Sequence, residues 1–265
     1  MARPIVALLT DFGTANHYVA AMKGVLLGLC ADATLVDFTH DVPPHDVLTG
    51  ALELAAAYRF FPAGTIFLVV VDPGVGSSRR GVAVEAGEYR FVAPDNGVLT
   101  SVLAEIKPKR MVELTERRYA RATVSRTFEG RDRFAPAAGW LAKGVDLAAL
   151  GRPLASLVSL DIPEPRVDGD CLEGDVMRVD RFGNLVTNIS RPSFEEFRAS
   201  SKVRIEAGTH HVEHLVATYA DAPPGAVCAL FGSTDHLEIA CNGDNAHERL
   251  ALGRGARVRV MRLEP

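Results

Sequence analysis

In VVVDPGVGSSRR, residues 69–80, an apolar run ends in a carboxylate, Asp72, and an arginine, Arg79, follows across a glycine-rich turn. A carboxylate in that position can take a proton from water, and a guanidinium beside it can hold it ionised and oriented. A second acid, Asp11, closes the apolar run IVALLT in the same way, whereas Asp37 lies inside TLVDFT and its direction stays open. TFEGRDRFAP, residues 127–136, gathers Glu129, Arg131, Asp132 and Arg133 around Gly130, a set that serves a site or pairs with itself at a helix start. In DRFGNLVTNIS, residues 180–190, Asn184 and Asn188 are poor strand formers beside Gly183, and their amides read a heterocycle edge or hold a turn.

Other motifs fail on inspection. GVGSSRR lacks both G-x-x-x-x-G-K-[ST] and G-x-G-x-x-G, so its glycines read as loop geometry rather than a phosphate cradle. TDFG, residues 10–13, stands without the other parts of a kinase. In THHVEH, residues 209–214, His210 and His214 share one strand face and His211 points the other way, so a solvated strand is expected and no metal site. Cys30, Cys171, Cys228 and Cys241 are far apart, as expected of reduced packing residues.

The elements that must position these groups alternate from the start: strand 5–10, helix 15–30, strand 34–39, helix 46–61 and strand 65–71. The first helix is expected to turn Tyr18, Met22, Val25 and Leu29 to one face. Continuous apolar strands between helices predict an α/β, Rossmann-like domain, a parallel sheet with helices on both faces. In such sheets ligands gather at the carboxyl ends of the strands, where Asp11 and Asp72 fall. A hairpin through Gly87 and Glu88, a short helix after PDNG, a strand at 111–115 and a helix from about Arg131 to Gly144 complete this domain. Residues 151–170, with three prolines, read as a linker, dividing the chain into domains 1–160 and 161–265. Beyond it, short strand segments separated by turns predict a smaller C-terminal antiparallel β-barrel, with a brief helix at 194–200.

The chain has 265 residues, 48% hydrophobic and 23% charged, with a formal net charge of -4. This balance speaks against a general role in binding nucleic acid. No apolar run approaches the ~20 residues of a membrane span, and MARPIVALLT carries no signal-peptide cleavage site, so a cytoplasmic protein without membrane contact is expected.

Taken together, LLTDFGTANHYVAAMKG, THDVPPHDV, FPAGTIFLVVVDPGVGSSRRG, FVAPDNGVLT, FEGRDRFAP, DRFGNLVTNI and FGSTDHLEIACN resemble the S-adenosyl-L-methionine hydroxide adenosyltransferases, relatives of fluorinase and chlorinase. The motifs stand in family order from about residue 5 to 260. The resemblance implies a homotrimer, with substrate sites where the N-terminal domain of one subunit meets the C-terminal domain of its neighbour. It implies hydrolysis of S-adenosyl-L-methionine to adenosine and L-methionine by nucleophilic substitution at ribose C5′, with no cofactor beyond the substrate.

By the same resemblance Asp72 and Arg79 are catalytic, Asp11 binds the ribose hydroxyls and Asp180 the methionine ammonium. Asn184 binds adenine, and Ser233 the methionine carboxylate. The family's usual F-H-G-R-D is F-E-G-R-D here, so Glu129 stands in the histidine's place. Two arrangements are expected of it: a proton-sharing pair with Asp72 bridged by Arg79, or a direct Glu129–Arg79 ion pair. The alternative function is a non-catalytic protein that keeps the S-adenosyl-L-methionine or adenosine contacts but lost turnover with the histidine. A halogenase is disfavoured, because a halide needs hydrogen-bond donors where Asp72 puts a carboxylate.

Overall fold

The computed structural model describes residues 3–263, and the chain divides after Leu160 into two compact units. The first contains β1 (Ile5–Thr10), α1 (Tyr18–Leu29), β2 (Thr34–Thr39), α2 (Val47–Ala57), β3 (Ile66–Val70), β4 (Gly81–Ala86), β5 (Tyr89–Pro94), α3 (Thr100–Glu105), β6 (Pro108–Leu114), α4 (Ala135–Ala142) and β7 (Gly151–Pro153). Its sheet runs in the order β2-β1-β3-β5-β4-β6-β7.

Strands β2, β1, β3 and β5 are mutually parallel, while β4, β6 and β7 join antiparallel. The expected parallel sheet thus covers four strands. The β4–β5 hairpin, turning at Gly87 with φ +55, reverses direction and makes the sheet mixed.

Alternation along β1 explains the two layers. Val6 and Leu8 face a core with Met22 and Leu26 of α1 and Ala135, Ala138 and Leu141 of α4. Ala7 and Leu9 face the opposite core, with Leu54 of α2 and Val102 of α3. The buried stripe of α1 is Val19, Met22 and Leu26, so of the expected face only Met22 is fully enclosed; Tyr18 is exposed. Each such Leu or Met taken from water contributes about 1.5–3 kcal/mol. Asp46 starts α2 by accepting the Thr49 N–H at 3.0 Å.

The second unit contains β8 (Arg166–Asp168), β9 (Cys171–Val179), β10 (Leu185–Ser190), α5 (Arg191–Arg198), β11 (Val203–Ala207), β12 (His210–Val212), β13 (His214–Leu215), β14 (Val227–Phe231), β15 (His236–Cys241), α6 (Ala246–Leu250) and β16 (Arg257–Arg262). The strands form one sheet in the order β12-β11-β16-β9-β10-β15-β14-β13, with β8 on β9. The pairings are antiparallel except β13 with β14. Edge strand β12 returns beside β14, so the sheet curls into a nearly closed barrel around Leu172, Ile189, Phe194, Leu237, Ile239 and Val260. No helix among the described residues is long and apolar enough to cross a membrane.

Candidate active site: an arginine between two carboxylates

Strands β1 and β3 are neighbours with Thr10 opposite Val70, so Asp11 and Asp72 leave the same carboxyl edge of the sheet. Between Asp72 and Arg79 the chain makes two tight turns. Val75 N–H donates to the Asp72 carbonyl at 3.3 Å, and Ser77 N–H to the Gly74 carbonyl at 3.1 Å. Gly76 has φ +78, and a Cβ there would lie 2.4 Å from the Arg126 carbonyl oxygen. Glycine is therefore demanded at this turn by backbone angle and by crowding, not by a ligand.

The turn folds Arg79 back on Asp72. Its Nε donates to Oδ1 at 2.8 Å and Oδ2 at 3.0 Å, and Nη2 donates to Oδ2 as well. The same Nη2 donates to Glu129 Oε2 at 2.5 Å. Arg79 is thus shared between both acids, the contact common to the two arrangements expected of Glu129. Exposure of the side chains is 4% for Asp72, 10% for Arg79 and 11% for Glu129. Burial alone would lower the Arg79 pKa, but hydrogen bonds and charge attraction from Asp72 and Glu129 outweigh it and hold the guanidinium above its ordinary value. Arg133 approaches the other Glu129 oxygen at 3.7 Å, and the Phe134 ring lies 5.0 Å from the Arg79 guanidinium carbon.

Glu129 arrives from a distant segment by a specific local structure. Residues Gly130–Phe134 form one π-helical turn closed by the Ala135 N–H on the Gly130 carbonyl, just before α4. A Cβ on Gly130 would stand 3.3 Å from Met22 Sδ and 3.4 Å from Val70 Cγ1, so the turn seats closely against β3 and α1. Asp132, fully enclosed, anchors the segment by accepting the Ser125 N–H at 2.8 Å and Arg131 Nε at 2.7 Å. Burial would raise the Asp132 pKa, yet Arg131, the Ser125 N–H and Arg121 together hold it below the usual carboxylate value. The bland reading of GRDR as ion pairs thus describes Asp132, while Glu129 turns to Arg79.

Asp11 Oδ2 accepts the His45 N–H at 2.9 Å, and His45 has φ +68, a conformation rare for histidine. Beneath them Thr10 Oγ1 meets His40 Nδ1 at 2.8 Å, and His40 Nε2 meets Asp37 Oδ1 at 2.8 Å. Asp37 also pairs with Lys23 at 2.7 Å, which settles its direction. Phe12 and Phe128 meet edge-on at 6.1 Å, joining the Asp11 and Glu129 loops.

In the second unit Asp180 Oδ1 accepts the N–H groups of Phe182 and Asn184 at 2.8 and 2.9 Å, and Oδ2 accepts Asn184 Nδ2 at 2.9 Å. Asp180 thus holds the turn that presents Asn184. Asn188 is turned elsewhere, donating to the Pro163 carbonyl at 2.9 Å and accepting the Asp175 N–H. Ser233 is exposed in the turn between β14 and β15, where Asp235 N–H donates to the Gly232 carbonyl. The histidines of THHVEH split between β12 and β13: His210 meets the Leu250 carbonyl at 3.2 Å and His211 pairs with Glu206 at 3.2 Å.

Sequence reading passed over Phe182, Tyr219 and Glu238. Phe182 is 77% exposed beside Asn184, and its signal was an aromatic placed inside a turn. Tyr219 and Glu238 carried no local signal, because they reach Asn184 only through the barrel.

Residues 6–151 match the SAM hydroxide adenosyltransferase N-terminal domain, and residues 174–259 match its C-terminal domain. A protein of Salinispora tropica named (R)-S-adenosyl-L-methionine hydrolase is 40% identical over 97% of both chains. A fluorinase of an Actinoplanes species is 32% identical over 90% of this chain and 91% of its own. The crystal structure of a conserved Thermotoga maritima protein superimposes with a TM-score of 0.91 at 35% identity, covering 97% of this chain and all of that one. Sequence and architecture agree along the whole length, and the chain belongs to the SAM hydroxide adenosyltransferase family.

Proposed function

We propose that this protein hydrolyses S-adenosyl-L-methionine to adenosine and L-methionine, with water attacking ribose C5′. The observation that carries this reading is Asp72 held by Arg79 at the carboxyl edge of the sheet, in a chain 40% identical to a Salinispora tropica protein named for this hydrolysis.

The substrate is a sulfonium, so methionine leaves as a neutral thioether and needs no acid. The bond from water oxygen to C5′ forms as the C5′–S bond breaks and its electron pair stays on sulfur. What the protein must supply is an oriented nucleophile and a place for the water proton. Asp72 fits: a carboxylate offers about four lone-pair positions, and Arg79 occupies three, leaving one for water. Arg79 keeps Asp72 aimed, and Glu129 holds Arg79 through the same Nη2. Asp11 at the neighbouring strand end suits the ribose hydroxyls. In the second unit Asn184 and exposed Phe182 suit an adenine ring, while Asp180 and Ser233 suit the methionine head group. A homotrimer and a cytoplasmic location belong to the same proposal.

Halide transfer is disfavoured by Asp72 and Glu129, since an anion brought to this place meets two carboxylates sharing one arginine. The test is incubation of pure protein with S-adenosyl-L-methionine, following adenosine and methionine by chromatography. Equimolar adenosine and methionine are expected. Binding by calorimetry without adenosine above the spontaneous background would instead establish the non-catalytic alternative.

A further inference from the structure

The polar chain behind Asn184 has a direction. Asp180 is an acceptor, and its Oδ1 is already taken by two backbone N–H groups, so the Asn184 side chain must turn its nitrogen to Oδ2. The second hydrogen of Asn184 Nδ2 faces the Tyr219 hydroxyl oxygen at 3.5 Å. Tyr219 in turn donates its own hydrogen to Glu238 Oε2 at 3.1 Å. Burial, together with the Glu238 charge and hydrogen bond, pushes the Tyr219 pKa up to about 12, so its hydroxyl keeps its proton at neutral pH.

Glu238 is itself enclosed on β15 and wedged against Gly232, where a Cβ would lie 1.8 Å from Oε1. Gly232 directly precedes Ser233. Burial raises the Glu238 pKa, although the Tyr219 hydrogen bond and Arg178 oppose it. Asn184 is largely buried, at 5% exposure, and its Oδ1 accepts no hydrogen bond among the described residues.

We propose that Tyr219 and Glu238 are positioning residues that lock Asn184 with nitrogen inward and carbonyl outward, so that this half-site accepts a 6-amino purine and rejects a 6-oxo purine. The 6-amino group donates to the presented carbonyl, whereas a 6-oxo group sets acceptor against acceptor. Exposed Phe182 offers the ring face that either purine stacks on, so discrimination falls to Asn184. The inference rests on the reading of Asn184 as a purine contact.

Calorimetry with adenosine and with inosine tests it on the full chain. The parent is expected to prefer adenosine about 100-fold, and Tyr219→Phe to reduce that preference to about tenfold, the worth of one hydrogen bond to a buried amide. Glu238→Ala should erode the ratio in the same way, and Glu238→Gln, which keeps an acceptor oxygen, should restore it. With S-adenosyl-L-methionine, Tyr219→Phe should raise KM several-fold while kcat stays within about twofold. If Asn184→Ala binds adenosine like the parent, the purine-contact reading fails. If Asn184→Ala weakens adenosine but Tyr219→Phe keeps the parent's ratio, the positioning role alone is overturned.

Discussion

Arg79 and Glu129, fifty positions apart, meet at 2.5 Å through the same guanidinium nitrogen that holds Asp72. Where the family resemblance places a histidine, this chain supplies a second carboxyl group, and Arg79 pairs with both it and Asp72. Asp72 therefore shares its arginine with a second acid that is itself hydrogen-bonded. Four expectations follow from this arrangement and from what supports it.

Asp72→Asn keeps the shape and one oxygen for Arg79, but turns the other into an NH2 donor and removes the proton acceptor. kcat should fall about 10²–10³-fold, in the range of a lost general base, while KM changes no more than a few-fold. Steady-state adenosine formation measures both, and a kcat equal to the parent's would end the water-activation role.

Glu129→His restores the residue that the resemblance leads one to expect but breaks the Arg79 ion pair. Arg79 then has one carboxylate instead of two, and kcat should drop about tenfold, or about 1.4 kcal/mol, within the worth of one charge-assisted hydrogen bond. A higher rate than the parent's would mean that Glu129 impairs the site.

Gly76→Ala should destabilise the first unit by about 2 kcal/mol or more, because φ is +78 and the new Cβ would press on the Arg126 carbonyl at 2.4 Å. Urea unfolding reads this loss. Turnover should fall with it, since relieving the contact moves Arg79 off Asp72.

Asp132 makes stability depend on acid. Its pKa in the folded protein lies below its unfolded value, so its contribution is complete above the usual carboxylate pKa. That contribution is lost as pH falls through the lower folded value. In Asp132→Asn the fall in melting temperature on acidification should be shallower than in the parent, with overall stability about 3 kcal/mol lower because Arg121 and Arg131 lose their buried partner. Thermal denaturation across the acid range separates the two effects.

Much of the scaffold was legible in the chain itself. Strands β1 and β2 coincide with IVALLT and TLVDFT, because apolar runs between helix-length segments admit little else. The β4–β5 hairpin was likewise visible at Gly87, but its consequence, a sheet that turns antiparallel, depends on how strands pair across the sheet. The buried stripe of α1 ran through Val19 and Leu26 rather than Tyr18 and Leu29, since apolar spacing names several faces and only the packing partner selects one.

The candidate site divides in the same way. Sequence alone determined Asp11 and Asp72 at strand ends, an arginine within reach of Asp72 across a turn, and an acid in the GRD segment. These are local facts, set by periodicity, turn chemistry and residue type. Tertiary structure decided that Glu129 would pair with Arg79 while its neighbour Asp132 stayed a structural anchor, because a π-helical turn and a glycine against Met22 and Val70 set which side chain faces β3. It also decided that Asn184 would show its carbonyl, through Tyr219 and Glu238, residues 35 and more positions away that only a closed barrel brings together.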